Sequence, residues 1–233
     1  MTRVITFAIV LGSLVLSAGQ ALADPVLIGD PASGVNCFPF GCGRGTSAAT
    51  RYQQVYNSSQ FTGPITIRQI EFLLGDPGNT ASGTYWFYLS TTERQVDGLD
   101  ETNFDNNVGA DRSLFSMMVF PGTSAPSVLA IVGDVFLYNP QAGNLLLDIV
   151  IPGGAINATE TTAFFKAHNG TAQGLFSRAH DFGSGTIGYG LVTRFVDETT
   201  GPATVPEPAT LTLFGVGLAG TIARQYRFRR QAR

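Results

Sequence analysis

From residue 50 to residue 195 the chain is a succession of short runs rich in β-branched and aromatic residues, each closed by turn chemistry, with no sustained helical period. A period of two sends alternate side chains to opposite faces of a strand, so such runs hide an apolar face only by packing as sheets. Residues 50–56 (TRYQQVY) and 65–72 (ITIRQIEF) approximate this alternation. In the second, Ile65 and Ile67 are followed by Ile70 and Phe72, and the phase slips at Arg68–Gln69 as a β-bulge allows. Residues 83–89 (GTYWFYL) are aromatic and β-prone. Further strands are predicted over 113–120, 127–138, 144–151, 163–166, 175–179 and 187–195. Turn residues separate them, among them Asp76-Pro77-Gly78-Asn79, Asn139-Pro140, Pro152-Gly153-Gly154 and Asn169-Gly170. About nine short strands at this spacing predict an all-β fold, an antiparallel β-sandwich of jelly-roll-like winding over residues 50–196. Residues 136–148 read as two strands joined by a Pro/Gly hairpin, with Leu145 and Leu147 on one side and Leu146 on the other.

Charge narrows the partners. Between Asp24 and Val205 sixteen carboxylates face seven arginines and Lys166, a net charge of −8 where the whole chain carries −3. An acidic domain with one lysine is a poor match for nucleic acid or an anionic lipid surface. The two cysteines, Cys37 and Cys42, lie close together, and in an oxidising compartment they predict a local disulfide that pins a surface hairpin. No zinc-ligand spacing or CxxC motif accompanies them.

Few residues nominate chemistry. The acidic run from Asp97 through Asp100 and Asp105 to Asp111 offers oxygen ligands of the kind calcium takes, without EF-hand spacing. A solvated surface loop is the simpler reading of the same residues, and no other cofactor is indicated. His168 and His180 sit near a turn and a strand end, where a surface or hydrogen-bonding role is expected. No Gly-x-Ser-x-Gly elbow or HExxH motif is present, and no carboxylate pair is singled out for glycoside hydrolysis. In residues 85–88 alternation places Tyr85 and Phe87 on one face and Trp86 and Tyr88 on the other. One pair is expected in the core; the other, Trp86 and Tyr88, is the candidate for stacking on sugar rings.

Both ends of the chain read as transport signals. Arg3, an apolar run over 4–16 and the Ala21-Leu22-Ala23 pattern predict a signal peptide over residues 1–23. Residues 24–49 then form an N-terminal extension holding the Cys37–Cys42 loop. Residues 197–205 read as a linker. Beyond it stand Val205, Pro206, Glu207 and Pro208, an uncharged apolar stretch over 209–223, and Arg224, Arg227, Arg229 and Arg230. At about 1.5 Å per residue the stretch covers roughly 22 Å, short of the roughly 30 Å hydrocarbon core unless the arginine stems snorkel. It is expected to form a single transmembrane helix with a cytoplasmic C-terminus.

The Val-Pro-Glu-Pro-Ala-Thr run, the Gly-rich apolar helix and the terminal arginines together resemble a PEP-CTERM sorting signal, here over residues 206–230. That resemblance implies export, anchoring in the inner membrane with the ectodomain in the periplasm, processing by an exosortase-type membrane protease, and delivery to the cell surface or medium. Tyr52–Tyr56, Leu89–Thr92 and Phe136–Asp148 also look like segments of ectodomains that carry the same tail, a group with no activity to carry over. The expected function is therefore a non-catalytic matrix or adhesion component associated with exopolysaccharide. The alternative is a carbohydrate-binding or polysaccharide-active sandwich, with calcium as a possible ligand.

Overall fold

The computed structural model describes residues 25–43, 45, 48–157, 161–181 and 186–197. The signal peptide predicted over residues 1–23, the motif at Val205–Pro208, the helix predicted over 209–223 and the arginines after it lie outside the described residues. Among the described residues twelve strands form two antiparallel sheets. The first contains β1 (Val26–Ile28), β2 (Val35–Asn36), β4 (Ile65–Asp76), β7 (Val128–Tyr138), β9 (Phe164–Asn169), β11 (Tyr189–Leu191) and β12 (Thr193–Asp197). The second runs β10 (Phe176–His180), β3 (Thr50–Tyr56), β8 (Asn144–Ile151), β5 (Gly83–Thr92) and β6 (Ser113–Phe120) in that order. Among the described residues no helix is long and apolar enough to cross a membrane.

Side-chain alternation explains the layering. Tyr85, Phe87 and Leu89 of β5, with Leu145, Leu147 and Ile149 of β8, point between the sheets, where they meet Ile67, Ile70 and Phe72 of β4 in one buried cluster. The phase slip read at Arg68–Gln69 is a bulge: pairing of β4 with β7 shifts between Ile67 and Gln69, which keeps Ile67 and Ile70 both inward.

Four features differ from the sequence reading. The segment 24–49 is no mere extension, because β1 pairs with β12 and β2 with β9. The single strand expected over 187–195 is two, β11 on β9 and β12 on β4, separated at Val192. Residues 136–148 are not a hairpin, since β7 pairs with β4 whereas β8 pairs with β3 and β5. The Asn139–Gly143 connection instead arches from one sheet to the other. Leu146 does face away from Leu145 and Leu147, yet it too is buried.

The fourth difference concerns the cysteines. Cys37 and Cys42 are joined, and Phe40 between them is wholly buried. Its ring lies 4.8 Å from Phe72, 5.4 Å from Phe165 and 5.9 Å from Phe120, centroid to centroid, with Tyr85 and Phe87 each at 6.1 Å. The loop thus plugs one end of the sandwich with an aromatic side chain touching both sheets. Its backbone is tied in as well, Ala81 N–H donating to Phe40 C=O at 2.6 Å.

Candidate binding face

Among the described residues the outer face of the second sheet is covered over one half and bare over the other. Residues 93–112, joining β5 to β6, fold back across β3, β8 and β10. Asn107 donates to Gln53 Oε1 at 2.8 Å, Gln53 donates to Phe104 C=O at 3.0 Å, and Gly109 N–H reaches Ser90 Oγ at 3.2 Å. Asp97 N–H donates to Ser177 Oγ at 2.6 Å. Gln53 and Ser177, polar residues on what would be an exposed face, are buried by this cover, as is Asn107 of the cover itself. Each finds a partner within it, as buried polar groups must. A side chain at Gly109 is excluded, because a Cβ there would sit 1.7 Å from Thr91 C=O.

An ion-pair network closes the edge of the cover. Asp148, 1% exposed, accepts from Arg51 at 2.7 and 2.8 Å and from Arg112 at 3.2 and 3.0 Å. Arg51 also reaches Asp105 at 2.7 Å, and Arg112 stacks 3.5 Å over the ring of Tyr88. The Arg51 guanidinium holds the Asp105 carboxyl below the usual carboxylate range.

The four carboxylates considered for calcium are thereby spent separately. Asp97 accepts from Gly188 N–H at 2.8 Å and Asp111 from Thr91 N–H at 2.7 Å. Asp105 pairs with Arg51, and Asp100 caps its own turn. The Asn106 amide first, then the backbone N–H groups of Asn103 and Thr102 and the Thr102 hydroxyl, draw the Asp100 carboxyl well below its ordinary range. Among the described residues no group of three or more His, Cys, Asp or Glu side chains converges as a metal site would require.

Beyond Arg112 no described residue covers the sheet. Tyr85 and Phe87 are wholly buried, while Trp86 on the opposite face is 37% exposed. Tyr88 shares that face, 6.5 Å from Trp86 between ring centroids, but one of its sides is taken by Arg112. Of the two aromatics nominated for sugar stacking, Trp86 is therefore the open one. It borders a shallow groove of about 430 Å³ formed with Ser82, Thr84, Pro152, Gly153 and Ile156. Among the described residues no charged side chain lines this groove. A flat indole beside hydroxyls and backbone amides suits a neutral ring with apolar and hydroxylated faces.

The histidines are structural in setting. His168 accepts from Asp30 N–H at 2.9 Å through Nε2, and its Nδ1 meets Thr171 Oγ1 at 3.0 Å, tying the β1–β2 turn to β9. His180 is buried between Tyr52 and Phe38, stacked on both rings. Burial, and then the charge of Arg178, push its imidazole down to about 4. A histidine whose folded pKa lies below its unfolded value of about 6.5 stabilises the fold fully above that pH, and the stability is lost as pH falls toward 4. Urea unfolding at stepped pH is expected to show this loss between 6.5 and 4, with a slope of at most about 1.4 kcal/mol per pH unit. His180→Gln is expected to flatten that slope; an unchanged slope would assign it to other groups. Sequence reading missed this cluster because Arg178 and His180 become inward-facing only through the pairing of β10 with β3.

Comparison with known proteins bears on the tail. Residues 204–230 match the PEP-CTERM protein-sorting motif. The match supports sorting of a secreted protein by an exosortase-type system, with processing by a membrane protease. No curated protein and no solved structure matches the chain.

Proposed function

We propose that this chain is a non-catalytic, exopolysaccharide-associated component of an extracellular matrix or an adhesive surface, with the bare half-face around Trp86 as its contact with sugar. In this reading residues 1–23 direct export and the 209–223 helix holds the domain at the inner membrane, the sandwich outside it. Sorting at Val205–Pro208 then hands the domain on to the surface or medium. The shifting of chain from sheet to sheet favours the jelly-roll-like winding expected from sequence: from β2 to β11 every connection except β5–β6 changes sheet.

The observation that carries the reading is the partly exposed Trp86 ring, standing beside a groove whose described lining is uncharged on an otherwise acidic domain. Neutral glycans bring no charge to repel or pair, and aromatic stacking supplies the affinity. Retention of the protein on exopolysaccharide from its own cells, with and without calcium, tests it. Trp86→Ala is expected to cut retention at least about tenfold, the order of an interface hot spot, with the melting temperature little changed because the ring is partly in water. Equal retention of Trp86→Ala and wild type would remove Trp86 as the contact.

A further inference from the structure

Where the cover of residues 93–112 leaves and rejoins the second sheet it encloses a pocket of about 560 Å³, at the far end of β5 from the Trp86 groove. Thr91, Glu93 and Arg94 line it from the outgoing chain, Asn106 and Asp111 from the returning chain, and Ala142 from the β7–β8 connection. Arg94 is held here at three points. Its N–H donates to Thr92 Oγ1 at 3.1 Å, its C=O accepts from the Asn144 amide at 2.8 Å, and its Nε donates to Asn106 C=O at 2.9 Å. Asn106 is in turn tied through its own amide to Asp100 at 2.8 Å. A planar guanidinium fixed at Nε presents its two Nη groups as a pre-set fork. Among the described residues those two groups have no hydrogen-bond or ion-pair partner.

That is unusual in this domain, where sixteen carboxylates face seven arginines between Asp24 and Val205. Arg51, Arg112 and Arg194 each hold a carboxylate. Arg94 holds none, although Glu93 and Asp111 line the same pocket. Glu93 is exposed, its carboxylate without a partner among the described residues. Asp111 gives one oxygen to Thr91 N–H and keeps the other. The pocket thus carries unspent charge of both signs, and this selects its ligand. A simple anion would gain the Arg94 fork but be repelled by two carboxylates, and a simple cation would be repelled by the guanidinium. A molecule bearing a carboxylate and an ammonium satisfies both sets. Its carboxylate accepts two parallel N–H bonds from Arg94, and its ammonium donates to Glu93 and Asp111. Having no net charge, it is not driven off by the domain's −8. We propose that this pocket binds a small zwitterion of the free α-amino acid type, with Arg94 on its carboxylate and Glu93 and Asp111 on its ammonium.

Titration calorimetry of the full chain in mild detergent against the standard L-amino acids, without polysaccharide, tests this. At least one is expected to bind with a dissociation constant of about 1 mM or tighter. The N-acetyl and amide forms of that amino acid each lack one of the two charges, and each is expected to bind at least about tenfold more weakly. Arg94→Gln and Glu93→Gln are expected to weaken binding by at least about the same factor, with the melting temperature of Glu93→Gln unchanged because that side chain is exposed. Trp86→Ala, at the other end of β5, is expected to bind as the wild type does. Absence of binding by every amino acid overturns the proposal, as does equal binding of the N-acetyl or amide form. If Arg94→Gln unfolds, Glu93→Gln and the two blocked ligands decide: undiminished binding in all three overturns it, and weakened binding in all three supports it. Alanyl-alanine separates free amino acids from peptide ends, since its two charges stand farther apart; tighter binding of the dipeptide than of any free amino acid overturns the assignment. Equal losses in Trp86→Ala and Arg94→Gln would also overturn it. Loss of polysaccharide retention in Trp86→Ala with amino acid binding intact leaves both readings standing, each on its own site.

Discussion

Phe40→Ala is expected to destabilise the domain by about 3–5 kcal/mol, the range for truncating a fully buried aromatic whose cavity cannot collapse. Five aromatic rings from both sheets surround that side chain, and all five are buried in β4, β5, β6 and β9. Their strands are fixed by pairing, which limits how far the rings can close the space. The comparison that gives the number meaning is the double variant Cys37→Ser/Cys42→Ser. A disulfide spanning five residues removes only about 2 kcal/mol of chain entropy from the unfolded state. Urea unfolding followed by far-UV circular dichroism is therefore expected to rank Phe40→Ala as the more damaging change. The opposite ranking would mean that the bridge, and not the ring, secures this end of the sandwich.

The second large effect is expected at Asp148. Its carboxylate is buried and holds two guanidinium groups through four hydrogen bonds. Breaking a buried ion pair costs about 3–5 kcal/mol, and the lower end is expected here because Arg51 keeps Asp105 as a partner and Arg112 is partly in water. Asp148→Asn keeps the volume and loses the charge, so it isolates the electrostatic part of that cost. Replacing the whole network, Asp148→Leu with Arg51→Met and Arg112→Met, is expected to recover much of the loss, because an apolar cluster carries no desolvation penalty. Failure of the triple variant to recover would show that the cover of residues 93–112 depends on the arginines for position. Amide exchange in residues 97–107 would report that directly, through faster exchange in Asp148→Asn than in the wild type.

What the sequence disclosed follows from what is local. Alternation and turn residues lie within a few positions of one another, so β3, β6 and β8 coincide with the segments read as 50–56, 113–120 and 144–151. The bulge beside Gln69 was legible for the same reason. Partner choice is not local, and there the reading failed. The Asn139–Gly143 turn looks like a hairpin because nothing in its residues states that β7 will join β4 and β8 will join β3. Strands β1 and β2, of three and two residues, exist through partners more than a hundred residues away. Phe40 sits among proline, glycine and cysteine, a composition that reads as surface. Only the opening between the ends of two sheets turns it into core.

The candidate site divides in the same way. That Trp86 and Tyr88 share a face could be read from spacing alone. That one is open and the other lies under Arg112 depends on where the β5–β6 connection travels. Its acidic residues suggested a cation, yet they cap turns, accept backbone N–H groups and meet arginine. Net charge in a loop says little about ligands when the loop's own backbone supplies the donors.

The pairing of β1 with β12 joins the first strand of the domain to the last, Val26 standing opposite Phe195. β12 itself lies between β1 and β4. Synthesis delivers a chain in order, so Val26–Ile28 is made first and has no β12 edge to join until Thr193–Asp197 has followed. Contacts this distant in sequence close late and slowly. Completion of the first sheet is then a timing device: the domain reaches its final form only once its last strand, shortly ahead of the sorting motif at 204–230, has been made.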